Sequence, residues 1–429
     1  MRRTLLTIVA GYSTGLTLAQ GPSEPVSLPG IDVSRPLTSV IESKPAAENA
    51  GTALPETRIP TSESTKAEET LTHKGLPKHW SRYELLMWFP KAQPLPPLLM
   101  GSPGALSPVL GSPGASTLIG GQSIDNPLST GGRFVSGWDS DDNGWGTEIS
   151  YLFTGTRTAT AGYDGTGRNV NLGRPIVDPT TGQESFIEVS APGRPGRFRA
   201  TTTNRMTGWE VNAVHHLDGA PTCHLNFVAG YRFFLHHEGV RLEQTQSIPH
   251  VGGGNYWANA ADQFDGHTRF HGGQIGLEFG QDFNRFFVEG SMKVALGTSY
   301  NVVKIGGQTN IIVTGQQPGP MIAPMPGGVF AQPSNSGRQC QSDFAVLPEG
   351  QFRIGYKFRD RSRFYVGYNF LYLSDAVRPG DQIDRTISQA MVAAANGGVA
   401  APAGLRPQAS FTRTDLWVQG INLGFEWNY

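Results

Sequence analysis

From Trp80 onward the chain is built of segments with one apolar face, joined by connections that alternate between short and long. Ten such segments are predicted as strands: about 80–91, 129–138, 144–155, 206–217, 224–237, 267–280, 284–298, 344–358, 362–374 and 414–429. In each, residues two apart share a face, as side chains do on a pleated strand. Trp145, Thr147, Ile149, Tyr151 and Phe153 align in one, and Leu225, Phe227, Ala229, Tyr231, Phe233 and Leu235 in another. The connections Asp139–Asn143, Asp218–Cys223, Gln281–Phe283 and Arg359–Arg361 are short. Those at about 92–128, 156–205, 238–266, 299–343 and 375–413 are long. Short and long alternate without exception. In an up-and-down barrel that places all short turns at one rim and all long loops at the other. This is the habit of outer-membrane barrels, with short periplasmic turns and long extracellular loops. The expected fold is therefore all-β: a closed antiparallel up-and-down transmembrane barrel of about 10 strands.

A count of 12 strands is the alternative, because Gln183–Ser190 with Arg197–Thr203, and Asn301–Ile305 with Ile311–Thr314, have hairpin-like patterns. Both are read as extensions above the membrane. Composition supports the barrel. The 55 glycines and 31 prolines among 429 residues disfavour long helices, and no apolar run is long enough for a spanning helix. Charged residues are only 16% of the chain and the net charge is −1, so a basic surface for nucleic acid is not expected.

The ends fit export. Arg2-Arg3, a mildly apolar run from Leu5, and Thr17-Leu18-Ala19 form a Sec-type signal peptide over residues 1–19, with cleavage after Ala19. Residues 20–79 are rich in Pro, Ser, Thr and Glu and nearly free of aromatics. They are expected to be a disordered periplasmic segment. The last strand carries Trp417, Gln419, Ile421, Leu423, Phe425, Trp427 and Tyr429 on one face, as lipid contact requires. Asn422, Gly424, Trp427 and Tyr429 also fit a polar-x-Gly-x-x-aromatic-x-aromatic ending. It resembles the signal read by the outer-membrane barrel-insertion machinery.

The opposite faces collect charge: Arg82, Glu84, Glu148, Glu210, Arg232, Glu278, Glu289, Lys293, Glu349, Arg353, Lys357 and Glu426. Charge facing lipid would cost several kcal/mol at the midplane, roughly 2–4, so these side chains are expected in the lumen. A ring of about eight strands is already small enough for side chains to fill. A narrow or plugged polar lumen follows, either as a structural ion-pair network or as a slender path for small solutes. The Pro/Gly-rich loop Ala92–Leu128 is long enough to fold into it.

Catalytic and metal patterns are weak. His215-His216 are adjacent and so point to opposite faces. His236-His237-Glu238 sits at a rim, and His267 and His271 lie about 13 Å apart by strand rise. No Gly-x-Ser-x-Gly elbow occurs, and Gly252-Gly253-Gly254 and Gly306-Gly307 lack the context of a phosphate loop. Asp375, Asp381 and Asp384 surround Arg378-Pro379-Gly380, which reads as a turn rather than a calcium site. No cofactor, metal or catalytic residue is expected. Cys223 and Cys340 fall at opposite rims, too far apart for a disulfide.

Several segments resemble a known family. VGYNFLYLSDAVRPGDQIDR (Val366–Arg385), PLPPLL (Pro94–Leu99), SPGALSPVLGSPGASTLIGG (Ser102–Gly121) and FHGGQIGLEF (Phe270–Phe279) are similar to the signature of beta-barrel porin family seven. KVALG (Lys293–Gly297), PSNSGR (Pro333–Arg338) and the terminal LWVQGINLGFEWNY continue the match in order. That family occurs mainly in planctomycete-type bacteria. The resemblance covers roughly 80–429 and implies an outer-membrane barrel, with no catalytic residues to carry over. Membrane lipid and the insertion machinery are the partners it implies, and an oligomeric state is not implied. A porin-like or structural barrel is thus the first functional reading. A membrane-embedded hydrolase with rim Asp, Glu and His residues, or an adhesin acting through its loops, are the alternatives.

Overall fold

The computed structural model describes residues 78–104, 106–122, 128–140, 144–217, 222–249, 255–314, 322–359, 361–393 and 406–429. The expected signal peptide with its cleavage at Ala19, and the Pro/Ser/Thr/Glu-rich segment up to residue 77, lie outside the described residues.

The strands in chain order are β1 (Lys78–Pro90), β2 (Leu99–Pro103), β3 (Ser116–Ile119), β4 (Ser129–Asp139), β5 (Trp145–Thr154), β6 (Arg157–Asp164), β7 (Val170–Val177) and β8 (Glu184–Ser190). They continue with β9 (Gly196–Leu217), β10 (Cys223–Pro249), β11 (Asn255–Phe283), β12 (Phe286–Thr314), β13 (Ile322–Pro326), β14 (Gly337–Arg359), β15 (Ser362–Val377) and β16 (Arg413–Asn428). Ten of them form the ring β1-β4-β5-β9-β10-β11-β12-β14-β15-β16, and β16 pairs back to β1 to close it. Every ring pairing is antiparallel. Closure leaves no free edge in the lipid zone, which hydrocarbon demands of any sheet that crosses it.

Each of the ten segments expected from alternation is a ring strand, but several run far past the expected ends. β11 and β12 each contain 29 residues, where a tilted membrane strand needs about 9–11. The two extra hairpins do not form. β8 pairs with β7 rather than with β9, and β12 runs unbroken through Gly306-Gly307 to Thr314. Both stretches instead lengthen or line the barrel above the membrane. There β9 to β12 stand as a tall wall, with β6 on the outer part of β9 and β13 on β12.

Outward side chains mark the lipid band. Trp138, Trp145, Phe283, Phe286, Phe358, Trp427 and Tyr429 are exposed at the turn end, and Phe89, Phe153 and Phe370 at the other. From Trp145 to Phe153 is about 27 Å along the strand, enough for a tilted strand to cross the apolar core. Two aromatic girdles around an apolar band are the surface of an outer-membrane barrel. Beyond the band the outward face turns polar, with Arg205, Arg241, Glu243 and Arg269 on β9 to β11.

The inward faces reverse this order. Within the band, Leu86, Trp88, Phe234, Phe270, Leu347, Leu371 and Leu416 pack as one buried cluster toward the loop end. Above the band, Phe198, Val240, Leu242, Phe264, Val303 and Ile305 face inward onto a second apolar cluster. Their partners are Leu95, Leu98 and Leu99 from the first loop and Ile176, Ile187 and Val189 from β7 and β8. Phe330, Ile383 and Ile387 from later loops complete the cluster. The four-stranded sheet β3-β2-β7-β8 carries the first loop into this core, where Leu98 and Leu99 are fully buried. Cys223 lies at the turn end of β10 and Cys340 near the loop end of β14, both as exposed free thiols.

Candidate functional site

The lumen inside the lipid band is the candidate site, and alternation builds it. On each ring strand the residues between lipid contacts must point inward. In β1, the outward Tyr83 and Leu85 leave Arg82, Glu84, Leu86 and Trp88 inside. In β16, the outward Ile421 and Leu423 leave Gly420, Asn422, Gly424 and Glu426 inside. The charged side chains at these positions are nearly all buried, with Glu278 and Lys357 partly exposed.

They meet in two groups. Nearer the turns, Glu426 accepts from Arg82 Nε at 3.1 Å and from Arg363 Nε at 2.7 Å. Arg363 Nη1 also donates to Glu289 at 2.6 Å, and Arg353 Nη2 lies 3.3 Å from the same carboxylate. Deeper in the band, Glu349 accepts from Arg133 Nη2 at 2.8 Å and from Asn369 at 2.9 Å, and it also pairs with Arg232. Arg232 donates to Glu210 at 3.2 Å, and Lys293 Nζ donates to Glu210 at 2.9 Å. Lys293 lies 3.6 Å from Glu148, on the far side of the lumen. Glu84 accepts from Tyr365 Oη at 2.7 Å and from Asn422 Nδ2 at 3.1 Å. Asn422 in turn accepts from Trp88 Nε1 at 3.0 Å, which joins the ionic layer to the apolar one.

A buried charge is tolerated when it is both paired and hydrogen-bonded. Here Glu84, Glu210, Glu289, Glu349 and Glu426 take several donors each, from strands on different sides of the ring. The twelve charges expected from the sequence did not include Arg133, Arg363, Tyr365, Asn369 or Gln274. Arg133 was readable, because it alternates with the lipid-facing Phe134 on β4; so was Arg363, beside the outward Phe364 on β15. Asn369, Gln274 and the Tyr365 hydroxyl carry no charge to signal them. Gly424 illustrates the fit: a Cβ there would overlap the Tyr365 ring. Lys357 pairs with Asp282 at 2.7 Å near the turns. Glu278 makes no ion pair or side-chain hydrogen bond among the described residues.

Above the apolar layer, two fully buried ion pairs fasten the loops to the wall. Asp262 of β11 accepts from Arg174 Nη2 at 2.7 Å, with both side chains fully buried. Its other oxygen accepts the backbone N–H groups of Val329, Phe330 and Ala331 at 2.8, 3.0 and 2.8 Å. Glu238 of β10 holds Arg378, whose Nη2 also donates to the carbonyls of Lys91 and Ala92 at 3.1 and 3.2 Å. Burial lowers the Arg174 pKa from its usual value, and the Asp262 carboxylate opposes that shift.

The histidines and loop carboxylates do not converge. His215 stacks on Trp145, and His216 lies 3.1 Å from Asp139 at the turn end. His236 is buried 3.8 Å from Glu238, while His237 packs edge-on against His267 on the outside. Asp375 accepts from Asn301 at 2.6 Å, and Asp384 accepts backbone N–H groups of Thr386 and Gln408 at 2.8 and 2.9 Å. No group of three His, Cys, Asp or Glu side chains is arranged to hold a metal among the described residues.

A family model described as putative beta barrel porin-7 matches residues 80–429. The chain belongs to this family. The family is described as one of beta-barrel porins, and with the aromatic girdles and the closed ring this places the protein in the outer membrane. No curated protein matches the chain. Among solved structures, the outer membrane protease OmpT from Escherichia coli is 10% identical, with a TM-score of 0.41, covering 82% of this chain and 97% of its own. The Pseudomonas putida toluene transporter TodX is 8% identical, with a TM-score of 0.19 and coverage of 82% and 89%. A Pseudomonas aeruginosa FadL homologue is 7% identical, with a TM-score of 0.18 and the same coverage of 82% and 89%. Likeness at this level adds nothing to the porin-family assignment.

Proposed function

We propose that this member of the porin family is a closed barrel, porin-like in architecture, whose own side chains fill the membrane lumen at rest. The observation that carries the proposal is the 2.8 Å bond from Arg133 to Glu349. Their strands, β4 and β14, stand four places apart on the ring of ten, so the bond reaches across the lumen. The apolar layer of Trp88, Phe234 and Phe270 lies above it. Small solutes would cross only after both layers rearrange. The inward charges expected from the sequence, Glu278 apart, act on this proposal as a structural network. A hydrolase role has no support at His236, which is buried and lies 3.8 Å from Glu238, beyond hydrogen-bond reach.

Planar-bilayer recording of the refolded protein tests closure. The expected result is no unitary conductance, and regular ohmic steps from the wild type would overturn it. We also propose that Asn422, Gly424, Trp427 and Tyr429 are read by the barrel-insertion machinery. Trp427 and Tyr429 are exposed on the lipid side at the last turns of the chain, where a receptor can reach them. Tyr429→Ala should lower the folded, heat-modifiable fraction in cells while leaving refolding in detergent unchanged. Equal assembly of variant and wild type in cells would sink that role.

A further inference from the structure

On the loop side, just above the lipid band, the outward face carries charge unevenly. By the orientation of the short turns, this side is extracellular. Several cations above the band have carboxylate partners. Lys91 holds Asp415 at 2.6 Å, Arg241 lies 2.9 Å from Glu243, and Arg413 pairs with Asp343. One sector of β9, β11 and β12 differs. Arg205, Arg269 and Lys304 are exposed there, and none has an ion pair or side-chain hydrogen bond among the described residues.

Register brings these cations together. Arg205 stands opposite His237, and His237 opposite His267, whose ring it meets edge-on at 4.1 Å. Arg269 lies two residues from His267 on the same face of β11, on the side nearer the membrane. Lys304 stands opposite Asp265, two residues to the other side. Two strand spacings and one two-residue step separate the Cα atoms of Arg205 and Arg269, roughly 12 Å, so their extended guanidinium groups can meet on one phosphate. The neighbouring Asp265 accepts from Gln263 Nε2 at 2.7 Å and makes no ion pair with Lys304, which leaves the sector net positive. Below the cations the surface is shaped for a hydrocarbon chain. Trp209 lies against Tyr231 and Phe233, with ring centroids 5.5 and 5.8 Å apart. Beside them Gly273 faces outward between the exposed Tyr231 and Leu296. A Cβ on Gly273 would have Gly230 O as its nearest neighbour, at 4.0 Å, so an open groove runs there toward Arg269.

We propose that this sector binds one phosphate-bearing lipid of the outer leaflet, its phosphate between Arg205 and Arg269 with Lys304 beside it, and an acyl chain in the groove at Gly273. Guanidinium groups match phosphate oxygens with paired donors, and cations at a membrane surface are drawn to anionic lipid. The apolar groove adds a contact that a free phosphate ion cannot make. The site lies on the outside of the barrel and does not depend on whether the lumen conducts.

Native mass spectrometry of the full-length protein in detergent tests this with dioleoyl phosphatidic acid as the probe. Dioleoyl phosphatidylcholine is the comparison, with the same chains and a phosphate whose charge is cancelled by choline. The wild type should retain one phosphatidic acid with at least about tenfold preference. The double variant Arg205→Gln, Arg269→Gln should retain the two lipids alike. The double variant Arg194→Gln, Arg241→Gln removes the same charge from cations that have carboxylate partners, and its preference should match the wild type. Gly273→Phe fills the groove and should lower retention of phosphatidic acid at least about threefold with both arginines in place. All five positions are exposed, so each variant should keep the wild-type heat-modifiable mobility, which separates lost binding from lost fold. No preference in the wild type, or an equal loss in the two double variants, would overturn the proposal. So would unchanged retention in Gly273→Phe. Displacement of the lipid by inorganic phosphate at about ten times the lipid concentration would overturn it too, by marking an anion site that needs no chain.

Discussion

The same four strands, β9 to β12, solve two solvent problems in succession. In the lipid band they turn apolar side chains outward and keep Glu210, Arg232, Gln274 and Lys293 inside. Above it they turn charge outward and put Phe198, Leu242, Phe264 and Ile305 inside. The side-chain alternation never breaks; only the surroundings change. The lower interior is held by many shared donors and acceptors. The upper interior is held by apolar packing, fastened at two fully buried ion pairs among the described residues, of which Asp262–Arg174 shares its charges with no other ion pair. A shared network can lose one member and re-pair, whereas an isolated buried pair cannot.

The first way to break this contrast is Asp262→Ala. It strands Arg174 and frees three backbone N–H groups in a dry core. The expected loss is about 3–5 kcal/mol in the upper region. Limited proteolysis should cut near Val329–Ala331, with the heat-modifiable mobility of the lower barrel retained. If the whole barrel unfolds together instead, the two regions are one cooperative unit. Leu98→Ala comes next, because Leu98 is fully buried where the first loop enters the upper core. A cavity there should cost about 2–5 kcal/mol, read as faster hydrogen exchange in β2 and β7.

Gly424→Ala probes the lower region. The added Cβ collides with the Tyr365 ring and should displace its hydroxyl from Glu84. Because Asn422 and Arg133 still reach Glu84, a loss of only about 1–3 kcal/mol is expected in urea unfolding. A larger loss than for Asp262→Ala would reverse the ranking of network over isolated pair.

The smallest expected effect is with pH. Partial burial, then the neighbouring His237 and Lys304, lower the pKa of His267 from 6.5 to about 4. This imidazole stands just above the lipid band. Its folded form binds fewer protons than its unfolded form between those values. Stability is thus full above pH 6.5 and falls as the pH drops toward 4. Solvent screening keeps the effect modest. Hydrogen-exchange protection in the outer halves of β10 and β11, taken relative to the intrinsic rate at each pH, should fall from pH 7 to pH 5, and His267→Gln should flatten that response. A response confined to the lower barrel would count against this account.

Much of the lower lumen was legible from local pattern. Arg82, Glu84, Glu210 and Glu426 each sit between lipid-facing neighbours, so the pleat alone turns them inward. The upper region was less legible. Beyond Leu235 the outward residues become His237, Gly239 and Arg241, and no apolar stripe remains to mark a strand on that face. The inward Phe264 and Ile305 read as loop residues because their partners come from Leu98, Ile187 and Phe330, far away in sequence. The hairpin suggested at Gly306-Gly307 failed for a related reason. Glycine permits a turn, but β11 and β14 offered ladder partners on both sides through Ile305.

The sequence by itself determined where the ten ring strands cross the lipid band, the face most residues take there, and which rim carries the turns. All three follow from a period of two and the lengths of connections, which are local. Only the tertiary structure decided which charges meet. Arg133 and Glu349 are 216 residues apart, and nothing near either one names the other. Closure of the ring sets which strands oppose across the lumen, and register sets their heights. The filled lumen and the fastened loops arise from that closure.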